Sequence, residues 1–174
     1  MPPASDNSQE RCEGCGALVP RVEGPVHRYM TSAPGCWAMH GEISARLLSD
    51  RGAIGFRQLC VDAYAVQHPG TPNPQAIQSV AGHLMSLHAQ LERGLPSASA
   101  PALLQRATQP KAQYHWLEPP SFEGRRTIGH MLANTGDPGR AAREWASDAW
   151  QAWAAHHAQV RVWYDRLIGA TRAP

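Results

Sequence analysis

Lysine is almost missing from this chain. Lys111 is the only one in 174 residues, so nearly all the positive charge is arginine, and the arginines are scattered. The nearest thing to a cluster is the pair Arg125-Arg126, read as solvated in a loop, and the formal net charge is only +2. A nucleic-acid surface calls for a basic stripe or patch, so no nucleic-acid partner is expected. No apolar run approaches the ~20 residues of a membrane-spanning helix, so no membrane partner is expected either. The opening stretch MPPASDNSQER lacks the apolar core of a secretory signal. A cytoplasmic location is therefore expected, where thiols stay reduced. A Ser-His-Asp grouping, a phosphate-cradling glycine loop and a paired-carboxylate motif are also missing, which leaves the enzyme classes built on them without support.

What the chain does have is four cysteines, nine histidines and six tryptophans, with 43% hydrophobic residues, enough for one packed core. In a reducing compartment Cys12, Cys15, Cys36 and Cys60 read as metal ligands, redox groups or buried apolar residues rather than as a disulfide framework. Cys12-Glu13-Gly14-Cys15-Gly16 has the Cys-x-x-Cys spacing with which two thiolates grip one tetrahedral ion inside a single turn. Gly16 suits that turn, because glycine takes positive φ without strain. A redox dithiol and an unliganded loop are the rival readings.

A tetrahedral site needs two more donors. Residues 17–35 are punctuated by Pro and Gly and read as an irregular loop, with room for a short β-hairpin. His27 lies in this loop, and Cys36 follows the Ala33-Pro34-Gly35 turn near a helix start. The set Cys12, Cys15, His27 and Cys36 would make a closed Cys₃His site for zinc (Zn2+). His40, four residues after Cys36 on the same helix face, is an alternative to His27, as is a later histidine such as His68. Should only three protein ligands be present, a zinc-bound water could do hydrolytic or transfer chemistry, with Asp62, His83 or His157 as the general base.

The rest of the chain predicts helices. From Cys36 to Arg51, Trp37, Ile43, Leu47 and Leu48 fall on a helical period. A second helix, 54–68, carries Leu59, Cys60, Ala63 and Tyr64 on one side and ends at His68-Pro69, since the residue before proline avoids the helical region. Cys60 is expected to be a small buried apolar residue. Asp62 is either solvated or a buried partner to a histidine or arginine. The next helix is capped by Asn73, begins at Pro74, repeats Ile77, Val80, Leu84, Leu87 and Leu91 toward the core, and stops at Gly94. His83 and His88 sit at the edges of that seam.

A short helix is expected over 102–109, then an irregular segment around Trp116-Leu117-Glu118-Pro119-Pro120 of the kind that serves as a lid or a partner-binding strap. Another short helix follows, capped by Thr127 and running to about Ala133. A final long helix from Asp137 or Pro138 to about Ile168 places Trp150, Trp153, His157, Val160 and Tyr164 on one stripe. His157 points inward and His156 about a quarter turn away. If that last helix packs on the Pro74–Arg93 helix, His83 and His157 are the pair best placed to meet. The whole predicts an all-α, single-domain helical bundle: a disordered tail over 1–10, a metal-binding loop region over 11–36 and the bundle over 37–170.

Several phrases also carry a family resemblance: Cys12-x-x-Cys15-Gly16, Pro34-Gly35-Cys36-Trp37-Ala38, Val61 to Gly70 (VDAYAVQHPG), Ile77-Gln78-Ser79-Val80, Trp116-Leu117-x-Pro119-Pro120 and the stretch from Trp150 to His157. Together they resemble an uncharacterised bacterial domain-of-unknown-function family, which implies no catalytic residues. The layout of histidines is more distantly similar to DinB-like metal-dependent bundles. Those space their late histidines three or four apart, whereas His156 and His157 are adjacent, so no residue role transfers. Besides the zinc protein, two other functions are open: a non-catalytic interaction module using the 110–126 segment and exposed tryptophans, and a thiol redox sensor using Cys12 and Cys15.

Overall fold

The computed structural model describes residues 8–170. Its elements are a two-stranded ribbon, β1 (Gln9–Arg11) and β2 (Leu18–Pro20), followed by seven α-helices: α1 (Pro34–Ser49), α2 (Arg57–Gln67), α3 (Pro74–Glu92), α4 (Ala100–Ala107), α5 (Ile128–Ala133), α6 (Pro138–Ala152) and α7 (His157–Gly169). The chain is all-α apart from the ribbon. The ribbon is antiparallel, with Glu10 opposite Val19, and it corrects one boundary. Residues 1–7 of the expected tail lie outside the described residues, but Gln9 and Glu10 are strand.

The helix termini follow local chemistry. Pro34, Pro74 and Pro138 open α1, α3 and α6, where a missing N–H costs nothing. The Asn73 side chain accepts the Ala76 N–H at 2.9 Å, and the Asp137 side chain accepts the Arg140 N–H at 2.9 Å. Gly94, with φ of 69°, ends α3 in the left-handed turn that few other residues tolerate.

α2 is the axis of the molecule. Eight of its eleven residues are buried, because α3 lies along one side, α6 along another and α1 on a third. Its C-terminal end is held by hydrogen bonds to neighbours. The Trp145 indole donates to Gln67 Oε1 at 2.9 Å, the Trp153 indole donates to the Val66 carbonyl at 3.1 Å, and Gln67 Nε2 donates to the Arg126 carbonyl at 2.7 Å. Three hydrogen bonds thus fix the last turn of α2, the turn that delivers His68.

The long C-terminal helix of the sequence reading is two helices. A 3-10 turn at Ala154–His156 separates α6 from α7, and the rotation puts Trp163 rather than Tyr164 in the core. His157 Nε2 donates to the Trp150 carbonyl at 2.9 Å, and its ring stacks on the Trp150 indole at 3.7 Å. This caps the end of α6. Trp145, Trp150, Trp153 and Trp163 are all buried, and Tyr114, Leu117 and Phe122 of the 110–126 segment pack inward. The segment is thus anchored to the core, Tyr114 against Trp163 and Phe122 against Trp153, while most of its other residues stay exposed.

Candidate metal centre

The turn after β1 reverses on itself: the Cys12 N–H donates to the Ala17 carbonyl at 2.8 Å, and the Gly16 N–H to the Cys12 carbonyl at 2.8 Å. Gly16 adopts φ of 76° to close it. This presents Cys12 and Cys15 on one side of a tight knuckle. Cys36 comes from the first turn of α1, and His68 from the residue just past α2. All four side chains are buried, and their donor atoms lie within 4.8 Å of one another.

Three of the six donor pairs have the spacing of a coordination sphere. A tetrahedral zinc with ordinary bond lengths sets two sulfurs ~3.8 Å apart and a sulfur and a nitrogen ~3.5 Å apart. Here Cys15 Sγ lies 3.9 Å from Cys36 Sγ, and His68 Nε2 lies 3.5 Å from Cys12 Sγ and 3.4 Å from Cys36 Sγ.

The surrounding groups prepare these donors. His68 Nδ1 donates to the Tyr64 carbonyl at 2.7 Å, which leaves the Nε2 lone pair facing the sulfurs. The Ala33 N–H points at Cys12 Sγ at 3.5 Å, a contact that favours thiolate. Tyr64 stacks on His68 at 3.9 Å and holds the ring in place.

Gly14 is obligatory at the knuckle. A Cβ there would lie 2.2 Å from the Thr31 carbonyl oxygen and 2.5 Å from His68 Cδ2. Gly35 is as tightly constrained, its Cβ position falling 2.0 Å from the Pro20 carbonyl oxygen. The backbone must come this close for the ribbon, α1 and α2 to share one centre.

Two of the three thiols are pushed in opposite directions. Hydrogen bonds from Cys15 and Cys36 hold Cys12 far below the ordinary thiol range, whereas contacts with Cys12 and Cys15, together with burial, push Cys36 far above it. Burial opposes a charge on His68, but its contacts with Cys12 and Cys15 outweigh that and raise it to about 9. A divalent cation at their centre would stabilise all three thiolates and displace the histidine proton.

The histidine expected as fourth ligand is not the one that meets the sulfurs. His27 stands apart, packed edge-on against Tyr29 and Trp37, with Nδ1 buried and without a partner. His40 stacks on Trp37 and lies against Tyr64, so it backs the site without entering it. His68, named as the later alternative, completes the set. Sequence distance hid it: 32 residues separate Cys36 from His68. The one sequence signal was His68 before Pro69, a helix end that frees a side chain to point along the axis.

The general-base candidates are elsewhere. His157 caps α6, as described above. Asp62 and His83 bind each other, Nδ1 to Oδ1 at 2.7 Å, so His83 pairs across α2–α3 and not with His157. α7 does pack on α3, but lower down, where Arg161 and Trp150 meet Glu92. Cys60 is buried and its thiol is pushed up to about 12 by desolvation, as a small apolar core residue would be. Among the described residues no helix is long and apolar enough to cross a membrane.

The model of a family of unknown function (DUF5946) matches residues 10–154. The chain belongs to that family. No curated protein and no solved structure matches it.

Proposed function

We propose that this member of a family without assigned function is a zinc protein, and that Cys12, Cys15, Cys36 and His68 hold one ion as a structural staple. The observation that carries this is the convergence of four soft, buried donor atoms within 4.8 Å of one another. Three sulfurs and one imidazole in tetrahedral spacing suit zinc better than harder cations, which take oxygen donors. A site with four protein donors has no open position for water, so the zinc acts through geometry and not as a Lewis acid.

The staple joins three parts of the chain that are weakly tied otherwise. The ribbon contributes only two three-residue strands, too small to hold itself. Coordination would fix it to the start of α1 and the end of α2 at once. Since a preformed site does not exist in the unfolded chain, zinc affinity becomes folding free energy.

Elemental analysis of protein purified without added metal tests this directly. One zinc per chain is expected. Cobalt substitution should give the intense visible bands of a tetrahedral thiolate site. A preparation that folds fully with no transition metal, or a cobalt spectrum of six-coordinate form, would remove the proposal. Reversible formation of a Cys12–Cys15 disulfide in the folded protein would favour the redox reading instead.

A further inference from the structure

A second polar construction lies on the other side of α2. Asp62 is fully buried in the middle of that helix. Its Oδ1 accepts hydrogen bonds from His83 Nδ1 at 2.7 Å and Gln58 Nε2 at 2.8 Å. Its Oδ2 accepts from Ser86 Oγ at 2.6 Å and Gln90 Nε2 at 2.6 Å. Every one of these partners donates, which is the environment of an ionised carboxylate. Four donors on a buried carboxylate fix its orientation, and through it that of His83: Nδ1 donates to Asp62, and Nε2 lies on the opposite edge of the ring.

That opposite edge faces space. His83 forms part of the wall of a cavity of about 280 Å³ between α3 and α4, closed at one side by Tyr29. No hydrogen bond within the described residues engages its Nε2. The other residues of the wall with polar side chains are Tyr29, Gln75, Gln78, Ser79, Gln105 and Thr108. No Asp, Glu, Lys or Arg side chain lines the cavity. A charged group used only for packing is an expensive choice, since an apolar replacement is commonly as stable. Here the charge is spent on orienting one imidazole toward a neutral, amide-rich hollow.

We propose that this cavity binds a small, uncharged carboxamide or lactam, whose N–H donates to His83 Nε2 while the wall amides and hydroxyls pair with its carbonyl. Asp62 is the positioning residue, and it acts through His83. An ionic ligand is disfavoured, because the wall offers no countercharge for a group that would leave water. The site is separate from the sulfur cluster and does not depend on its metal.

The test is NMR titration of the full, metal-loaded chain with three neutral probes, nicotinamide, uracil and 2-pyrrolidinone, and with nicotinate as the charged control. At least one neutral probe should shift the His83 ring and the α3–α4 amides saturably, and nicotinate should not. Thr108→Trp, which fills the cavity without touching the dyad, should abolish the shifts. His83→Phe should weaken binding about tenfold, the order expected of one hydrogen bond lost at a buried site. Asp62→Asn should change the His83 nitrogen shifts toward a mixture of tautomers, a signature that mere packing would not move. If none of the neutral probes shifts these residues, if nicotinate binds equally well, or if binding survives Thr108→Trp, the proposal is overturned.

Discussion

Two polar clusters share α2, centred on Asp62 and His68, ~9 Å apart along the helix axis. They differ in one respect that decides their chemistry. Around Asp62 every buried polar atom of the carboxylate has a donor, so the network is complete as protein alone. Around His68 the sulfurs lie against one another, the imidazole and the Ala33 N–H, and burial opposes a charge on Cys36. A self-satisfied network can rigidify a helix pair and still leave one ring edge free for a ligand. Four soft donors converging on one point form a set that a single cation can satisfy. The proposed staple lies at the His68 end and the proposed ligand site beside Asp62.

The largest expected effect lies at the staple. Cys15→Ala, or chelation of the wild type, should lower unfolding free energy by more than ~5 kcal/mol, given that zinc can supply ~10–16 kcal/mol to a site absent from the unfolded chain. Denaturant titration with and without chelator checks it. The ribbon and the start of α1 should lose amide protection first, and α2–α3 should keep theirs longest. Equal stability with and without metal would erase the distinction between the two clusters.

Next comes the backbone approach at the knuckle. Gly14→Ala places a methyl carbon against the Thr31 carbonyl and the His68 ring, and should cost ~2–3 kcal/mol as overpacking. It should also weaken metal retention in a competition assay with a coloured chelator. Unchanged retention would mean that the knuckle can shift without moving its sulfurs.

Asp62→Asn sharpens the comparison from the other side. Losing the charge in a network of four donors should cost ~1–3 kcal/mol, read by thermal unfolding, while zinc content stays at one per chain. A variant that sheds zinc would show that the two clusters form a single cooperative unit.

The smallest effect is a pH dependence. Burial first, then the nearby charges of His68, Arg57 and His27, lower His40 from 6.5 to about 4. The folded ring refuses a proton that the unfolded chain accepts, so His40 contributes fully above pH 6.5 and its contribution falls as pH drops toward about 4. His40→Gln, measured in excess zinc, should flatten the stability profile in that window. An identical profile would move His40 out of the account.

Much of this was readable from residues. Asn73 and Gly94 bracket α3 because caps are local chemistry. Cys12-x-x-Cys15 announced its turn because two sulfurs at that spacing fit one knuckle. Helical period alone puts Asp62 at the margin of the apolar face, where solvent and a buried partner fit equally. The single long C-terminal helix was misread because the 3-4 stripe continues across Ala154–His156, where the backbone tightens without any proline or glycine to mark it.

What the sequence determined alone was the local part: the helical class, the caps, the knuckle and the supply of soft donors. These depend on side chains a few residues apart, whose geometry the backbone fixes. Which histidine meets the sulfurs, and which partners Asp62, only tertiary structure decided. Both answers rest on contacts across 21 to 56 residues, set by how α1, α3 and α6 pack around α2, and packing is a property of whole surfaces that no spacing along the chain encodes.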